Sequence, residues 1–475
     1  MNGSLAVRRI PGWLKVCLAS VAVQLLVFTF IAVSRPAYLV DYKTNANPDA
    51  RHYVLLGHNF WLNGAYSRQS APPYMPDMLR TPVYPLLAGG VEALFGVIWP
   101  LYALQILFGA ATAGLVFHIA DLLFGRPISM IAGFLYAADL MAAVLNMEAM
   151  SESLFTLLST LCVFMWLRNL TDRKIQPVRQ DALKSAAVGL ILGIAILTRP
   201  TALYLAVVLF AVEGIVRWKG RRSLVVAPVL ILTAALVIAP WIVRNQRQFG
   251  LARLTNVDTI ALVYFVAAGA YQVEYGIERE DAQKRIAQEF GLASVVKTYN
   301  PWTADQSVAS MDAKQRAAAK SILLSHPTAV LKASAIGIAR ATVAPNAAEL
   351  ASAGGRVWMP MGLGSVLTGK FREAATQLSR NGPFITAVFL WQVFLAIVTL
   401  PLAMVGVWAG LKRPDARLVT MCLLCIIGYF AVTIAVIGID APARQRSAVV
   451  PILCVFAGAG VGSLGGYVGR WKRRS

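Results

Sequence analysis

Charge is what this sequence has least of, and acid is the scarcer half: 14% of 475 residues are charged, with 23 Asp and Glu against 44 Lys and Arg. A soluble domain is about a quarter charged, because its surface has to be wetted, so the deficit excludes an ordinary soluble globular protein. Cysteine is also scarce. Cys17, Cys162, Cys422, Cys425 and Cys454 all lie in apolar stretches, and the CxxC spacing of Cys422 and Cys425 encloses only Leu423 and Leu424. Thiols without polar neighbours are neither activated nor arranged as ligands, and no disulfide framework follows. No His/Cys/acid cluster has ligand spacing; the sequence fixes no cofactor and leaves a divalent metal open, with His52 and His58 poor candidates for it. No internal repeat is visible either, which weakens an inverted-repeat transporter.

What the chain does have is long apolar runs, with 57% hydrophobic residues and a mean hydropathy of +0.62. Runs of about 20 residues span a bilayer as helices. About ten fit, at 14–34, 99–124, 128–147, 150–168, 184–197, 201–217, 223–243, 383–411, 417–438 and 447–468. The fold class expected is therefore all-α, a polytopic membrane helical bundle. The first run follows Arg8, Arg9 and Lys15 like a signal peptide, but it is long and has no small-x-small cleavage site, so it reads as an uncleaved span. A net charge of +21 would suggest nucleic acid in a soluble protein. Here the basic residues cluster in short loops: Arg168, Arg173, Lys174, Arg179 and Lys184; Arg217, Lys219, Arg221 and Arg222; Lys412 and Arg413; and Arg470, Lys472, Arg473 and Arg474. That is the positive-inside pattern. No nucleic acid is expected as a partner. Ten crossings place both termini in the cytoplasm of a plasma (inner) membrane protein, with the intervening long loops outside.

Three regions follow: a transmembrane core with its first outer loop (1–247, loop 35–98), an extracytoplasmic and juxtamembrane segment (248–382), and C-terminal spans (383–475). In the first loop one helix is expected from Pro48-Asp49 to Asn63-Gly64 and a second, interfacial, from Tyr84 to Gly96. In the second region 278–290 reads as a charged helix, and 313–343 as a juxtamembrane helix broken at His326-Pro327. Gly458, Gly462 and Gly466 recur every fourth residue in the last span, the spacing that lets helices approach closely in lipid.

The residues able to carry chemistry lie at the outer ends of the spans. Asp49 either caps its helix or serves as an active-site acid, with Tyr53 one turn on along the same face. Arg80, before Pro82-Val83-Tyr84-Pro85, sits at headgroup depth, as a phosphate ligand or as an anchor with Tyr84 as a belt aromatic. Glu148 and Glu152 stand at the junction of the third and fourth spans, where Ser151 or Glu148 is a candidate cap; acid so near hydrocarbon needs a partner or a function. Arg199 and Arg244, then Arg444 and Arg446, put cations on the side that positive-inside statistics disfavour. An anionic ligand there accounts for them. Asp139 and Glu213 are isolated acids within spans, the only features that favour a transporter or flippase.

Pro48-Asp49 with Tyr53, Asn63-Gly64-Ala65-Tyr66-Ser67, Arg80-Thr81-Pro82-Val83-Tyr84-Pro85, Ser151-Glu152-Ser153-Leu154-Phe155, Thr198-Arg199-Pro200 and Pro240-Trp241 with Arg244-Asn245 occur in that order, with a weaker echo at Ala443–Pro451. In these residues the sequence resembles the GT-C superfamily of polyprenyl-phosphate-sugar glycosyltransferases, in the branch of bacterial protein O-mannosyltransferase and aminoarabinose transferase relatives. The resemblance implies an inverting sugar transfer from a polyprenyl-phosphate donor to a glycan, lipid or protein acceptor at the outer leaflet. It implies Asp49 as catalytic acid of the first loop and general base, and Glu152, where many relatives have Asp, as the second-loop acid. Arg80 would bind the donor phosphate with Arg199 and Arg244, while Tyr53, Tyr84, Glu148, Arg444 and Arg446 would line the substrate. The alternatives are a transporter or flippase of lipid-linked glycans and a non-catalytic polyprenyl-lipid-binding relative.

Overall fold

A computed structural model describes residues 10–45, 47–172, 177–216, 223–294, 307–357, 379–440 and 443–471, with 372 and 376. The basic residues Arg8, Arg9, Arg173, Lys174, Arg217, Lys219, Arg221, Arg222, Lys472, Arg473 and Arg474 lie outside the described residues. Every regular element described is helical. We number α1 Gly12–Ser34, α2 Pro48–Asn63, α3 Val83–Phe95, α4 Trp99–Phe124, α5 Arg126–Ala137, α6 Leu140–Leu145, α7 Glu152–Thr171, α8 Val178–Thr198, α9 Leu203–Val216 and α10 Ser223–Phe249. Then come α11 Val257–Tyr275, α12 Arg279–Glu289, α13 Val308–Ser325, α14 Pro327–Val343, α15 Ala347–Ala353, α16 Pro383–Lys412, α17 Pro414–Ala435 and α18 Val450–Trp471.

Seven described helices are long and apolar enough to cross a membrane, and up to nine if each of two bent pairs counts as one span. The protein is thus a multi-pass membrane helical bundle. The third expected span is instead two helices. Asp139 Oδ1 accepts the Met141 amide at 2.9 Å and starts α6 anew after α5, since a short polar side chain competes with the helical ladder for backbone N–H groups. Glu213, the other acid within a span, accepts from the Trp166 indole at 2.8 Å. The sixth run opens with the turn Pro200–Ala202 and leaves α9 only 14 residues long.

In the first loop, Asn47 caps α2 by accepting the Asp49 amide, Pro48 takes the first helical position, and Gly64 ends the helix at φ 67. Helices α2 and α3 pack at Gly57 and Gly89: a Cβ on Gly89 would lie 2.1 Å from the His58 amide nitrogen, and one on Gly57 1.9 Å from the Pro85 carbonyl. The expected interfacial helix is therefore held flat against its partner. In the second region α11 and α12 meet at 106°, and α13 and α14 at 98°, the latter at the expected His326-Pro327 break. A wider turn over Leu262–Ala267 interrupts α11.

The C-terminal bundle is set by small residues. Gly458 and Gly462 face Ala132 and Ile128 of α5, as the four-residue spacing implied. The tighter contact is a pair that the spacing did not single out: a Cβ on Gly406 of α16 would lie 1.7 Å from the Phe456 carbonyl, and one on Gly460 of α18 2.0 Å from the Leu402 carbonyl. Neither backbone can move without parting the two helices. We expect Gly460→Ala to lower stability by about 1–3 kcal/mol through overpacking, whereas Gly465→Ala, whose added methyl meets nothing within 4 Å, leaves it unchanged or slightly raised. Thermal unfolding of the two variants in detergent checks this, and equal melting temperatures would refute it.

Candidate active site

The end of the bundle where α1, α8 and α10 finish and α4, α7 and α18 begin carries the site. Its base is a network of amides inside an otherwise apolar interior. Gln24 of α1 donates to the Ile106 carbonyl at 3.2 Å, and Asn146 donates to Gln24 Oε1 at 2.5 Å. Gln105 of α4 donates to the carbonyls of Asn146 and Glu148, both at 2.8 Å, and accepts from the Tyr84 hydroxyl at 2.7 Å. The Tyr38 hydroxyl donates to the Met147 carbonyl at 3.1 Å. Buried backbone groups need such partners, and these fix the loop 146–151 that carries Glu148 and leads into Glu152.

On this base the acids and arginines interlock. Asp49 pairs through Oδ1 with Arg80, and its Oδ2 accepts from Arg444 at 3.2 Å. Glu152 Oε1 lies 2.7 Å from Arg199 Nη1 and 3.6 Å from Arg444 Nε. Arg444 thus joins the two acids, and Arg199 also donates to Gln445 Oε1 at 2.9 Å. Arg80 lies 5.0 Å above the Tyr53 ring, and the Tyr53 and Ser151 hydroxyls are 3.3 Å apart. Glu148, 4% exposed, accepts from Asn47 Nδ2 at 3.3 Å through Oε2. Because Asn47 does the capping, Asp49 is free to engage the arginines; Ser151, in turn, makes no side-chain cap on α7 and faces Tyr53.

The electrostatics divide the acids. Burial pushes the Asp49 carboxyl up, but Arg80 and Arg444 outweigh it and hold it at about 2. Glu148 is pushed up to about 7, by burial first and then by Glu349, with Arg444 opposing. Burial also raises Glu349. Burial with Arg68 and Arg80 lowers His52 to about 4, so it is neutral at physiological pH.

Three expected contributors stand elsewhere. Tyr84 has no exposed surface and hydrogen-bonds to Gln105, so it is neither a belt aromatic nor a substrate contact but a strut. Arg244 stacks on Trp241 at 4.7 Å, Phe249 at 5.2 Å and Tyr66 at 5.6 Å, and donates to the Asp77 carbonyl at 2.6 Å. Tyr66 in turn donates to the Arg80 carbonyl at 3.0 Å, so Arg244 supports the backbone of Arg80 from beneath. Arg446 donates to the carbonyls of Ala341 and Ala344 at 2.8 and 2.7 Å, satisfying the end of α14. Gln445 and Glu349 are contributors that sequence reasoning missed. The Asn346-to-Glu349 spacing reads as a capping box, but the Asn346 side chain bonds to Met141 and Gln392 and makes no cap on α15. Among the described residues no group of three or more His, Cys, Asp or Glu could hold a metal ion. At Asp49 and Glu152 the neighbouring charged groups are the guanidinium groups of Arg80, Arg199 and Arg444.

Residues 79–243 match the model of a family described as dolichyl-phosphate-mannose-protein mannosyltransferase. The likeness is to membrane glycosyltransferases. The matched stretch contains Arg80, Glu148, Glu152 and Arg199 but stops short of Asp49 on one side and Arg444 on the other. No curated protein matches the chain. Among solved structures, the oligosaccharyltransferase of Archaeoglobus fulgidus, in complex with zinc and sulfate, aligns at 13% identity and a TM-score of 0.49, over 96% of this chain and 49% of that one. The oligosaccharyltransferase AglB from Archaeoglobus fulgidus, in complex with an inhibitory peptide and a dolichol-phosphate, aligns at 12% identity and 0.47, over 96% and 51%. ArnT of Cupriavidus metallidurans bound to undecaprenyl phosphate aligns at 14% identity and 0.39, over 89% and 77%. This chain spans about half the length of the archaeal structures it matches.

Arg444→Gln tests the electrostatic core. Breaking a buried pair costs about 3–5 kcal/mol; with 22% of Arg444 and 27% of Asp49 exposed, solvent screens part of that, and about 2 kcal/mol is expected at pH 7. A depressed carboxyl stabilises above its unfolded value, and the benefit is lost as pH falls towards about 2. The gap between wild type and variant should therefore narrow between pH 5 and pH 2.5 in thermal unfolding, and a gap independent of pH would refute the pairing.

Proposed function

We propose that the protein transfers a sugar from a polyprenyl-phosphate donor to an acceptor at the outer face of the plasma membrane, by a single inverting displacement. The observation that carries this reading is the set of three arginines, Arg80, Arg199 and Arg444, held on two carboxylates at one end of an apolar bundle, within and beside the stretch that matches a glycosyltransferase family. Short basic loops at the opposite end of the helices, including Arg168, Arg179, Lys184, Lys412 and Arg413, support an outward-facing site with both termini in the cytoplasm. The acids within spans, Asp139 and Glu213, have structural partners and lend no support to a transport path.

In the reaction, the acceptor's nucleophile forms a bond to the anomeric carbon while the bond from that carbon to the phosphate oxygen breaks, and the electron pair leaves with the phosphate. Guanidinium groups already in place compensate the charge that develops there, without reorganising, in a poorly solvated site. The lipid part of the donor needs an apolar bed. A cavity of about 230 Å³ lined by Leu395, Leu400, Ile427, Ile434 and Leu453, with Asp139, Gln392 and Arg446 also in its wall, is suited to part of a prenyl chain. The acceptor, a glycan, a lipid or a protein, would be recognised by the segment 248–382.

Binding of a short-chain polyprenyl phosphate to the protein in nanodiscs tests this. Saturable binding that weakens with added salt is expected, with Arg80→Ala or Arg199→Ala weakening it about tenfold or more, the equivalent of ~1.4 kcal/mol. Equal binding of the matching prenyl alcohol, or no effect of either substitution, would sink the reading. Mass spectrometry of envelope glycans and lipids from a knockout then identifies the sugar that goes missing.

A further inference from the structure

An arginine side chain reaches far, and the carboxylates that attract it do not decide where its backbone stands. Arg444 lies in the helical turn Ala443–Arg446, whose successive side chains go to three different places. Arg444 goes to Asp49 at 3.2 Å and Glu152 at 3.6 Å, Gln445 accepts from Arg199 at 2.9 Å, and Arg446 turns back to α14. Ordering a long side chain costs conformational entropy, and a base free to wander would add to that cost.

We propose that α14 positions Arg444, with Ser334, Gly337 and Arg340 seating the backbone before the turn and Arg446 seating the turn itself, so that affinity for the donor phosphate depends on a helix outside the charged cluster. The inference rests on the transferase reading above for its ligand, and on packing for its geometry.

The contacts run along one face of α14, because Ser334, Gly337, Arg340 and Ala341 recur at spacings of three and four residues. The Ser334 hydroxyl donates to the Ala435 carbonyl at 3.0 Å, at the end of α17. Arg340 donates to the Ile439 carbonyl at 3.1 Å. Between them, a Cβ on Gly337 would lie 2.0 Å from the Gly438 carbonyl oxygen and 2.7 Å from its carbon, so backbone meets backbone. Gly438 takes φ 75, and a Cβ on it would lie 3.3 Å from the Phe265 carbonyl oxygen, which wedges the stretch between α14 and α11. Past the turn, Arg446 donates to the Ala341 and Ala344 carbonyls at 2.8 and 2.7 Å, groups that a helix end leaves without intrahelical partners. The same helix therefore grips the chain before and after Arg444. Ala341 and Ile434 add a buried apolar contact, with Ile338 and Ile437 packed against them.

Gly337 has no side chain, so whatever it does to the site it does by letting the loop come close. A methyl group there must push back α14 or the stretch at Gly438, and Arg444 follows Gly438 in the same loop. Gly269 of α11 offers the comparison: a Cβ there meets Ile439 at 3.5 Å and Ala333 at 3.6 Å, which is ordinary contact.

Two measurements on the full chain test this. The first needs no ligand and is a double-mutant cycle in thermal unfolding at pH 7. The drop in melting temperature caused by Arg444→Gln should be about half as large, or less, once Gly337→Ala is present, because the guanidinium no longer meets its carboxylates squarely. The second is binding of a short-chain polyprenyl phosphate in nanodiscs, with the matching prenyl alcohol for comparison. We expect Gly337→Ala to weaken phosphate binding about tenfold and to add nothing further in the Arg444→Gln protein. Binding of the alcohol to Gly337→Ala, and of the phosphate to Gly269→Ala, should stay at wild-type values. Ser334→Ala combined with Arg340→Gln removes two hydrogen bonds and inserts nothing. It should weaken phosphate binding about threefold, and it replaces Gly337→Ala in both measurements if that variant does not fold. An Arg444→Gln drop that is the same in both backgrounds overturns the positioning role. So does phosphate binding that the α14 variants leave unchanged, or that they weaken no more than binding of the alcohol. A wild-type protein that binds no polyprenyl phosphate, while the unfolding cycle shows the coupling, overturns the transferase reading and leaves the positioning of Arg444 standing.

Discussion

The guanidinium of Arg444 is the contact on which the site depends. It reaches Asp49 across 395 positions of sequence and lies within 3.6 Å of Glu152, so the first loop, the start of α7 and the approach to α18 meet at one side chain. In water such a contact would be worth little. At the boundary of an apolar bundle each charge is taken partly out of solvent, and the three segments are locked into one geometry because no unpaired charge is tolerated there. Arg80 and Arg199 complete the set from either side. A planar fork with five donors can serve two carboxylates and still present a face outward, which an ammonium cannot do as well.

The cluster needs a rigid floor, and the amide network supplies it. Gln24, Gln105 and Asn146 lie in helices and a loop that would otherwise bury only hydrocarbon, and each spends its side chain on a backbone carbonyl or on another amide. Polar groups in such an interior are expensive unless fully partnered. Here they position the loop before α7, so that Glu148 reaches Asn47 while Glu152 reaches Arg199 and Arg444 from one short stretch of chain. The support below Arg80 works in a similar way: Arg244, stacked on three aromatic rings, braces Asp77, while Tyr66 holds the Arg80 carbonyl.

Much of this was legible because acids are so rare in the chain. With few carboxylates, Asp49, Glu148 and Glu152 stood out, and their positions at the ends of apolar runs put them on one side of the membrane. The helical class, the α2 helix and the break at His326-Pro327 followed from apolar length, proline and glycine. Depth was readable but direction was not. Tyr84, Arg244 and Arg446 share the depth of the site yet turn into the protein, since a position at the end of a run says nothing about azimuth. Asp139 looked like a polar group inside a continuous span, whereas its side chain ends one helix and begins the next. Glu349 escaped notice because α15 is a seven-residue helix in a stretch without apolar periodicity, and its neighbourhood with Glu148 exists only once Asn346 has docked on Gln392.

Two carboxyls of one site, within reach of the same arginine, are driven in opposite directions by what else surrounds them. Asp49 has two guanidinium groups in contact and stays ionised far below neutrality. Glu148 is more deeply buried, and its electrostatic neighbours include two further acids. Pairs of titratable groups pushed apart in this way are how one fold assigns a fixed charge and a mobile proton to separate residues. The scarcity of acid in the chain sharpens the point, because Asp49 and Glu152, two of only 23 acids, are both held by arginines at one end of the membrane bundle.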